Sequence, residues 1–259
     1  MSMFFFKNRF LALLIVGIFG ALAAAPATAQ GMSPAAALEK AEREKIESVV
    51  KNYLLNNPEV IIEAIQNMRE REERAGRERA QGNLVKFQGE LLNDPDSPVG
   101  GNPKGDVTIV EFFDYRCGFC KRVFPDILTL LKSDANVRYV FKEFPILGPE
   151  SITASKAALA AWNVDKTKYS AFHKTMMESK GALSKDRVMT FAAKSGYDVK
   201  ALEKAMEDPR IESSIEKNYE LAKALDINGT PAFIIGNQVI RGAVDLETLK
   251  TLVSKARGS

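Results

Sequence analysis

The sequence predicts an α/β domain built on a parallel βαβ unit, with a separate helical region in front of it. Apolar, β-branched and aromatic residues at 107–113 and at 137–144 are typical of buried strands, and a helical pattern lies between them. Two strands joined by one helix imply a parallel pair with a right-handed crossover. Turn-forming residues are concentrated at 93–105, which predicts the boundary between the helical region and this domain.

Beyond the second strand, the pattern predicts a helical block and then a β-hairpin. Helical character runs over about 151–225, with three breaks, near Gly181, Gly196 and Pro209. Short strands at 232–235 and 238–240 flank a Gly-Asn turn, and a last helix is predicted at about 245–255. The predicted order is therefore strand, helix, strand, helical block, hairpin and helix, in a domain that spans 93–259.

The region at 30–92 predicts amphipathic helices. Ser33 followed by Pro34 favours a helix start, and apolar residues then recur on one face, at Ile46, Val49, Val50, Tyr53 and Leu54. Pro58 interrupts the pattern, and the charged run at 69–81 is interpreted as a solvated helix or linker rather than a binding surface. So small a unit buries little apolar surface by itself. The region therefore either docks on the main domain or pairs with copies of itself, and we favour self-association.

Residues 1–29 have the pattern of a secretory signal peptide. Lys7 and Arg9 supply positive charge, an apolar stretch follows at 10–25, and Ala27-Thr28-Ala29 matches a small-residue cleavage site. An uncleaved anchor is disfavoured because the apolar stretch is short for a span of about 20 residues. We therefore expect an exported protein and, in a bacterial cell, a location in the oxidising periplasm.

Composition argues against several classes of function. The net charge is +3 over 259 residues, too small for the concentrated basic field of a nucleic-acid-binding protein. Two cysteines and one histidine are too few for a four-ligand zinc site within one chain, and we expect no cofactor and no bound metal. Cys117 and Cys120 would close too small a loop to serve as a stabilising disulfide, so their spacing favours redox exchange.

A Cys-x-x-Cys motif that follows a buried strand and opens a helix has a direct chemical use. The N–H groups and the dipole at a helix N-terminus stabilise an anion, so we expect a lowered pKa for Cys117. Cys120 lies one turn further along, where its thiol can attack a mixed disulfide formed by Cys117. The motif therefore predicts Cys117 as the nucleophile and Cys120 as the resolving thiol.

Two segments of the chain resemble known families. The stretch 111–121, EFFDYRCGFCK, looks like the active site of DsbA-type thioredoxin-fold proteins, and the helical block before residue 229 matches the helical insertion of that family. The stretch 52–61, NYLLNNPEVI, resembles the N-terminal segment of the ScsC (suppressor of copper sensitivity C) family. The resemblance implies a thioredoxin fold with a DsbA-type helical insertion, preceded by an N-terminal α-helical oligomerisation region. It also implies a homo-oligomer, with a trimer favoured, and a link to copper tolerance through repair of disulfides that copper misforms.

The resemblance further implies roles for residues outside the motif. Pro231 corresponds to a proline held cis beside the cysteines, and the backbone of Thr230 before it would pair with an extended substrate. Glu111 stands where such proteins place a buried carboxylate beneath the resolving cysteine, which would take the proton of Cys120. Lys142, on the neighbouring strand, is a candidate charge partner for Glu111.

The residues between the cysteines are Gly118 and Phe119, and we expect both to contact substrate. Neither carries charge, so stabilisation of the thiolate is expected from the helix N-terminus, with Arg116, Lys121 and Arg122 as further candidates. The more oxidising relatives carry a histidine in this dipeptide. Its absence here favours reduction or isomerisation over pure oxidation.

Four other conspicuous side chains are predicted to be structural. His173 is not needed by a thiolate mechanism, so a structural or surface role is expected for it. Trp162 is expected to pack in the helical block. Met176 and Met177 are adjacent on a helix and face different directions, which favours core packing over ligation of copper.

The leading hypothesis is an oligomeric periplasmic protein disulfide isomerase or reductase. Its expected partners are exported proteins that carry disulfides or thiols, and a membrane redox partner that keeps Cys117 and Cys120 reduced. One alternative is a monomeric DsbA-like dithiol oxidase, with the N-terminal helices packed on its own domain. An alternative of another class is a Cu(I)-binding carrier, which would use the reduced cysteine pair as soft ligands.

Overall fold

A computed structural model describes residues 34–258 of the chain, with side chains from Glu39 onward. The predicted signal peptide and the predicted helix start at Ser33 lie outside the described residues. Within 34–258, every helix is too short or too polar to cross a lipid bilayer. The chain divides into two compact units, the first ending at Ala64 and the second beginning at Ile65.

The described part of the first unit comprises helix α1 (Pro34–Asn56) and the first turns of helix α2 (Glu59–Lys86). The predicted interruption between two helices is confirmed, since α1 ends before Asn57, whose Nδ2 donates to the carbonyl of Tyr53 at 2.8 Å. The large apolar residues exposed along α1 are Ile46, Val49, Val50, Tyr53 and Leu55. Four of the five residues of the predicted apolar stripe are therefore exposed on this unit, and the fifth, Leu54, is half-buried.

The second part of α2 belongs to the second unit. The charged run at 69–81 is helical, and two small residues within it, Gly76 and Ala80, are buried in line with Leu84. Asn83 anchors the same helix by donating from Nδ2 to the carbonyl of Ala224 at 2.6 Å. The second unit therefore includes this part of α2, in which small residues form a buried helix face among charged neighbours.

The second unit has the predicted order of elements. After α2 come α3 (Gln88–Leu92), β1 (Val99–Gly101), β2 (Val107–Phe113), α4 (Gly118–Ser133), β3 (Val137–Glu143), α5 (Pro149–Val164), α6 (Lys166–Glu178), α7 (Lys185–Lys194), α8 (Val199–Ala205), α9 (Pro209–Ala224), β4 (Ala232–Ile235), β5 (Gln238–Arg241) and α10 (Leu246–Arg257). The helical block has one more break than predicted, at Asp165, whose carboxylate accepts the N–H of Thr167 and so caps α6. The sequence does not predict β1, because a glycine-rich stretch of three residues carries little strand signal.

The five strands of the described chain form one sheet in the order β1-β3-β2-β4-β5. As predicted, β2 and β3 are parallel, while β1 and β4 join them antiparallel. Successive side chains of a strand point to opposite faces. Ile109 and Phe113 face a core shared with α4, α10 and the helical block, whereas Val110 and Phe112 face a second core with Leu84. The cysteine motif lies on the first of these faces.

Candidate active site

The turn between β2 and α4 places Cys117 at the start of a helix. Cys117 is the N-cap of α4, with extended backbone (φ −70°, ψ 115°), and its Sγ accepts the backbone N–H of Cys120 at 3.4 Å. The N–H of Cys117 donates to the carbonyl of Asp114 at 3.0 Å. The sulfur therefore lies where the unpaired N–H groups of a helix N-terminus point.

Asp114 holds this turn in place, a role that the sequence did not predict. Its carboxylate is fully buried. Oδ1 accepts the N–H of Arg116 and the hydroxyl of Ser151, each at 2.7 Å, and Oδ2 accepts the N–H of Leu147 at 3.0 Å. One carboxylate thus ties the active-site turn to the loop after β3 and to α5. The available signal was an aspartate directly after a strand, where such side chains often bond to nearby backbone.

Several donors around Cys117 stabilise its thiolate. A hydrogen bond from the thiol of Cys120 has the largest effect, and bonds from Thr230 and from the backbone N–H groups of Cys120 and Phe119 add to it. Against the opposing effect of burial, they lower the pKa of Cys117 to about 5. Most of Cys117 is therefore ionised at neutral pH, as a reactive thiol requires.

The loop before β4 brings a second backbone segment to the sulfur. The Thr230–Pro231 peptide bond is cis, as the family resemblance implies. The thiol of Cys117 donates to the carbonyl of Thr230 at 3.2 Å, and the carbonyl of Pro231 accepts the N–H of Gly242 at 2.9 Å. An ionised Cys117 has no proton to donate, so the Thr230 carbonyl then becomes free to accept an N–H from another chain.

Cys120 and Glu111 are buried on the same face of the sheet as Cys117, and neither is more than 1% exposed. Burial, together with the hydrogen bond to Cys117 and the charge of Glu111, raises the pKa of Cys120 far above its ordinary value. Burial also raises the pKa of Glu111 to about 8, partly offset by a hydrogen bond from the hydroxyl of Tyr139 to Oε2 at 2.8 Å. The carboxylate that the sequence singles out is therefore buried and electrostatically coupled to both cysteines.

Lys142 is not the charge partner of Glu111, and this prediction is wrong. Glu111 lies opposite Phe141 in the register of β2 and β3, so the following residue, Lys142, points to the other face of the sheet. Its buried Nζ donates to Oδ2 of Asp94 and to the carbonyl of Glu90, both at 2.7 Å. Lys142 therefore fixes α3 and the segment after it to the sheet. The sequence indicates two neighbouring strands but not their register, which decides the face.

The cations near the motif also have other partners than the thiolate. Arg116 pairs with Glu150 at 3.2 Å, Lys121 donates to the carbonyl of Ser179 at 2.7 Å, and Arg122 lies 4.8 Å from the centre of the Phe119 ring. The lowered pKa of Cys117 therefore depends on hydrogen-bond donors and the helix N-terminus rather than on these side-chain charges. The ring of Phe119 remains 55% exposed, where another chain can reach it.

An aromatic core lies behind the cysteines and contains His173. The hydroxyl of Tyr115 lies 2.8 Å from Nδ1 of His173, and burial lowers the pKa of His173 to about 3, so the ring is neutral. Trp162, Met176 and Met177 are buried in the same core. The packing roles predicted for these side chains are confirmed.

Two thiols of unequal acidity are thus combined with one buried base. Cys117 ionises readily, whereas Cys120 retains its proton. Oε1 of Glu111 has no hydrogen-bond partner among the described residues, so it is able to accept a proton. Such a pair is suited to forming a mixed disulfide through one sulfur and resolving it through the other.

Comparison with known families agrees with this chemistry. Residues 93–255 match the family described as thioredoxin, which is more than half of the chain. The chain belongs to the thioredoxin family. Residues 42–75 match the N-terminal domain of the copper resistance protein ScsC, so the chain is a DsbA-like thioredoxin-family protein of the ScsC type. The predicted thioredoxin fold, with a helical insertion and an N-terminal helical region, is confirmed.

Individual relatives are similar over different parts of the chain. A thioredoxin-like oxidoreductase from Silicibacter pomeroyi DSS-3 is 41% identical with a TM-score of 0.64, covering 66% of this chain and 98% of that one. Proteus mirabilis ScsC in a transitional conformation is 28% identical with a TM-score of 0.65, covering 85% and 98%. Disulfide bond formation protein D of Bacillus subtilis is 27% identical over 168 residues, which are 61% of this chain and 76% of that protein. Other curated relatives are Na⁺/H⁺ antiporters, and the chain spans only 25% of the length of the one from Salinispora arenicola.

Within this thioredoxin-family site, Tyr139 is the second residue that the sequence did not single out. Its hydroxyl is the donor to Glu111, yet it stands in an apolar strand pattern that predicts only core packing. Only the register of β2 and β3, which pairs Tyr139 with Ile109, places its side chain on the same face as Glu111. A tyrosine inside a strand is too common to have served as a signal.

Proposed function

We propose that this chain is an exported thiol–disulfide oxidoreductase that works as an oligomeric protein disulfide isomerase and reductase through Cys117 and Cys120. One observation carries the proposal: the easily ionised Cys117 caps a helix beside a protonated Cys120 and the buried carboxylate of Glu111. A structural thiol pair needs no such difference in acidity. Disulfide exchange needs a nucleophile ready at neutral pH and a second thiol that keeps its proton until the resolving step.

In the first step, the thiolate of Cys117 attacks one sulfur of a substrate disulfide. A bond forms between Sγ of Cys117 and that sulfur, and the S–S bond of the substrate breaks. The other substrate sulfur leaves as a thiolate, which carries the negative charge out of the site. The product is a mixed disulfide between Cys117 and the substrate.

In the second step, Cys120 resolves the mixed disulfide. The charge of the Cys117 thiolate raises the pKa of Glu111, and this charge is gone once the sulfur is bonded, so a larger fraction of the carboxyl is then ionised. Glu111 takes the proton of Cys120, and the new thiolate attacks Sγ of Cys117. The mixed disulfide breaks and the substrate sulfur leaves as a thiolate. The substrate has gained two electrons, and the cysteine pair has become a disulfide.

Isomerisation uses the first step with a different exit. A second thiolate of the substrate attacks the substrate sulfur that is bonded to Cys117, a new substrate disulfide forms, and Cys117 leaves as a thiolate. Its low pKa makes Cys117 a good leaving group. No net electrons are transferred, but the pair has to begin reduced. A membrane redox partner that reduces Cys117 and Cys120 is therefore part of the proposal.

The surface proposed to bind substrate is formed by Thr230, Pro231, Gly118 and Phe119. The carbonyl of Thr230 lies 3.2 Å from Sγ of Cys117, where it can accept an N–H from an extended substrate strand. The exposed ring of Phe119 offers an apolar contact. A Cβ built on Gly118 would meet no atom within 4 Å, so the space beside the motif is open to an approaching chain.

The apolar face of α1 supports self-association. Ile46, Val50 and Leu54 recur every four residues along α1, and together with Leu55 and Ile61 they line an open groove of about 430 Å³. Exposed apolar surfaces of this kind mark sites of interaction. We assign the groove to equivalent helices of two further copies, in a trimer. Several catalytic units in one assembly raise the effective concentration of substrate-binding surface around one misfolded client.

The proposed location is the periplasm, and the clients are exported proteins with misformed disulfides or free thiols. The signal-like pattern of residues 1–29 supports export. The match of residues 42–75 to the N-terminal domain of a copper resistance protein supports a role in copper tolerance, through repair of disulfides that copper misforms.

Reactivation of a scrambled-disulfide test protein examines the isomerase proposal. The variant Ile46→Glu with Val50→Glu places charge in the apolar groove, and Lys45→Glu places the same side chain at another exposed position of α1. We expect the wild type and Lys45→Glu to be trimeric and to reactivate the test protein. The double variant should be monomeric and fail, while still reducing a small disulfide. A monomeric wild type, or a double variant that reactivates equally well, would contradict the oligomeric proposal.

The low pKa of Cys117 also favours a second candidate, the monomeric dithiol oxidase. Stabilising the thiolate stabilises the reduced pair, which makes the disulfide form a stronger oxidant. This candidate predicts a wild type that rapidly oxidises reduced proteins and fails in the reactivation assay.

Titration of the reduced protein with Cu(I) distinguishes a Cu(I)-binding carrier from a catalyst. A carrier binds stoichiometrically and keeps binding after Pro231→Thr, whereas a catalyst loses activity with that change.

A further inference from the structure

The two oxygens of the Glu111 carboxylate have different surroundings. Oε2 accepts the hydroxyl of Tyr139 at 2.8 Å, and both side chains are buried. Oε1 is equally buried but has no hydrogen-bond partner among the described residues. A buried polar atom without a partner lowers stability, and such atoms in a folded protein call for an explanation. The carboxylate is therefore held at one oxygen and free at the other.

The titratable groups that face Glu111 all oppose its ionisation when they carry charge. From α4, Cys117 and Cys120 interact with it as neighbouring thiols. Glu143 on β3 and Tyr169 on α6 are also coupled to it electrostatically. Each of these four groups is neutral when protonated and negative when ionised, so none of them stabilises a carboxylate by charge.

The remaining neighbours supply no compensating cation in the described chain. The residues opposite Glu111 on the flanking strands are Phe141 on β3 and Phe233 on β4. From α10, Leu249 and Val253 pack into the same core. Among the described residues, the hydroxyl of Tyr139 is therefore the one group that stabilises the ionised carboxylate, and it does so as a neutral donor.

We propose that Tyr139 is a positioning residue for proton transfer: it holds Glu111 through Oε2, favours the ionised carboxylate and leaves Oε1 to exchange a proton with Cys120. The inference rests on the function proposed above and deepens it. In the resolving step, the S–H bond of Cys120 breaks and an O–H bond forms at Oε1. Tyr139 keeps its own proton throughout, and the reverse reaction returns the proton to Cys120.

A neutral donor suits this task better than a cation. A buried lysine beside Glu111 would keep the carboxylate ionised but make it too weak a base to draw a proton from a buried thiol. Without any donor, the pKa of the carboxyl would be higher still, and even less of it would be ionised at neutral pH. One hydrogen bond from Tyr139 gives the carboxylate a basicity between these two cases, and a pKa of about 8 for Glu111 agrees with this.

The test follows the reaction of the reduced full-length protein with an aromatic disulfide whose released thiolate is coloured. The first equivalent of colour reports attack by Cys117, and the second reports attack by Cys120 on the mixed disulfide. Tyr139→Phe removes only the hydroxyl. Tyr197→Phe is the matched control, since it removes a hydroxyl that donates to the carbonyl of Asp165, away from Glu111. Both rates are measured between about pH 6 and pH 10.

We expect Tyr139→Phe to leave the first rate unchanged and to move the pH midpoint of the second rate up by about 1 unit. A hydrogen bond to a charged group contributes about 1.5 kcal/mol or more, which corresponds to about 1 pKa unit. The second rate at neutral pH should then fall about tenfold, and Tyr197→Phe should behave as the wild type. An unchanged second rate and midpoint in Tyr139→Phe would overturn the inference.

Two further variants separate the inference from the function on which it rests. If Glu111→Gln leaves the second rate and its pH dependence unchanged, the proton-accepting role of Glu111 itself is wrong. If Glu111→Gln slows the second step and Tyr139→Phe does not, only the role of Tyr139 is wrong. Should Tyr139→Phe fail to fold, 3-fluorotyrosine at position 139 is a stronger donor of nearly the same shape. It should move the midpoint down, and an unchanged or raised midpoint would overturn the inference.

Discussion

Replacing Cys120 with alanine should raise the pKa of Cys117 and thereby reduce its reactivity in acid. The hydrogen bond from the thiol of Cys120 is the largest single influence that lowers the pKa of Cys117. Alanine removes this donor but keeps the backbone N–H of residue 120, which lies 3.4 Å from Sγ of Cys117. The substitution therefore separates the contribution of the side chain from that of the helix N-terminus.

The size of the effect follows from the lost hydrogen bond. A bond to a charged acceptor contributes about 1.5–3 kcal/mol, and a thiol is a weak donor, so the lower value applies. At about 1.4 kcal/mol per unit, the pKa of Cys117 should rise by about 1 unit, from about 5 to about 6. At about pH 5.5, the ionised fraction of Cys117 then falls from about three quarters to about one quarter.

The assay combines the ultraviolet absorbance of the thiolate with the rate of alkylation, both measured against pH. Cys120→Ser is the matched control, because its hydroxyl is a better donor than a thiol. We expect the pKa of Cys117 to be highest in Cys120→Ala, and to be at or below the wild-type value in Cys120→Ser. If the alanine variant keeps the wild-type pKa, the helix N-terminus rather than the Cys120 thiol stabilises the thiolate of Cys117.

Three further predictions concern the stability of the reduced protein, measured by unfolding in urea. The pKa of Glu111 is about 8 in the folded protein and about 4.3 when unfolded, so its charge destabilises the fold increasingly as the pH rises from about 4 to about 8. Glu111→Gln should therefore be about as stable as wild type near pH 4 and more stable by about 4–5 kcal/mol at pH 8, and a difference that does not change with pH would contradict this. Lys142→Met leaves Asp94 without its buried partner and should lower the free energy of unfolding by about 3–5 kcal/mol. The double variant Lys142→Met with Asp94→Asn should lose clearly less stability, and equal losses in the two variants would argue against the ion pair. Leu84→Ala should destabilise the second unit by about 2–5 kcal/mol, but Val85→Ala on the exposed side of α2 should have little effect.

Much of the fold could be predicted because its signals are local. The strand patterns at 107–113 and 232–235 agree with the bounds of β2 and β4. The buried half of α2 could not be recognised, since Gly76 and Ala80 pack through small size rather than through apolar character. Strand β1 was missed for a related reason: the neighbouring β3, rather than its own three residues, provides its pairing.

Only the parts of the candidate site whose residues are neighbours along the chain could be predicted from the sequence. Cys117 and Cys120 are contiguous with the helix that they open, so their relation to its N-terminus follows from the motif. The partners of Lys142 and the hydrogen bond between Tyr139 and Glu111 depend on strand register, which a single sequence does not specify.

Trapping of the mixed disulfide tests most directly the claim that Cys117 attacks and Cys120 resolves. Reduced Cys120→Ala and Cys117→Ala are each incubated with a disulfide-bearing protein, quenched with acid and analysed by mass spectrometry of the linked peptides. Cys120→Ala should accumulate a covalent complex through Cys117, because no resolving thiol remains. Cys117→Ala should accumulate almost none, since the buried Cys120 has a strongly raised pKa. A complex that forms mainly through Cys120 would show that Cys117 is not the attacking thiol.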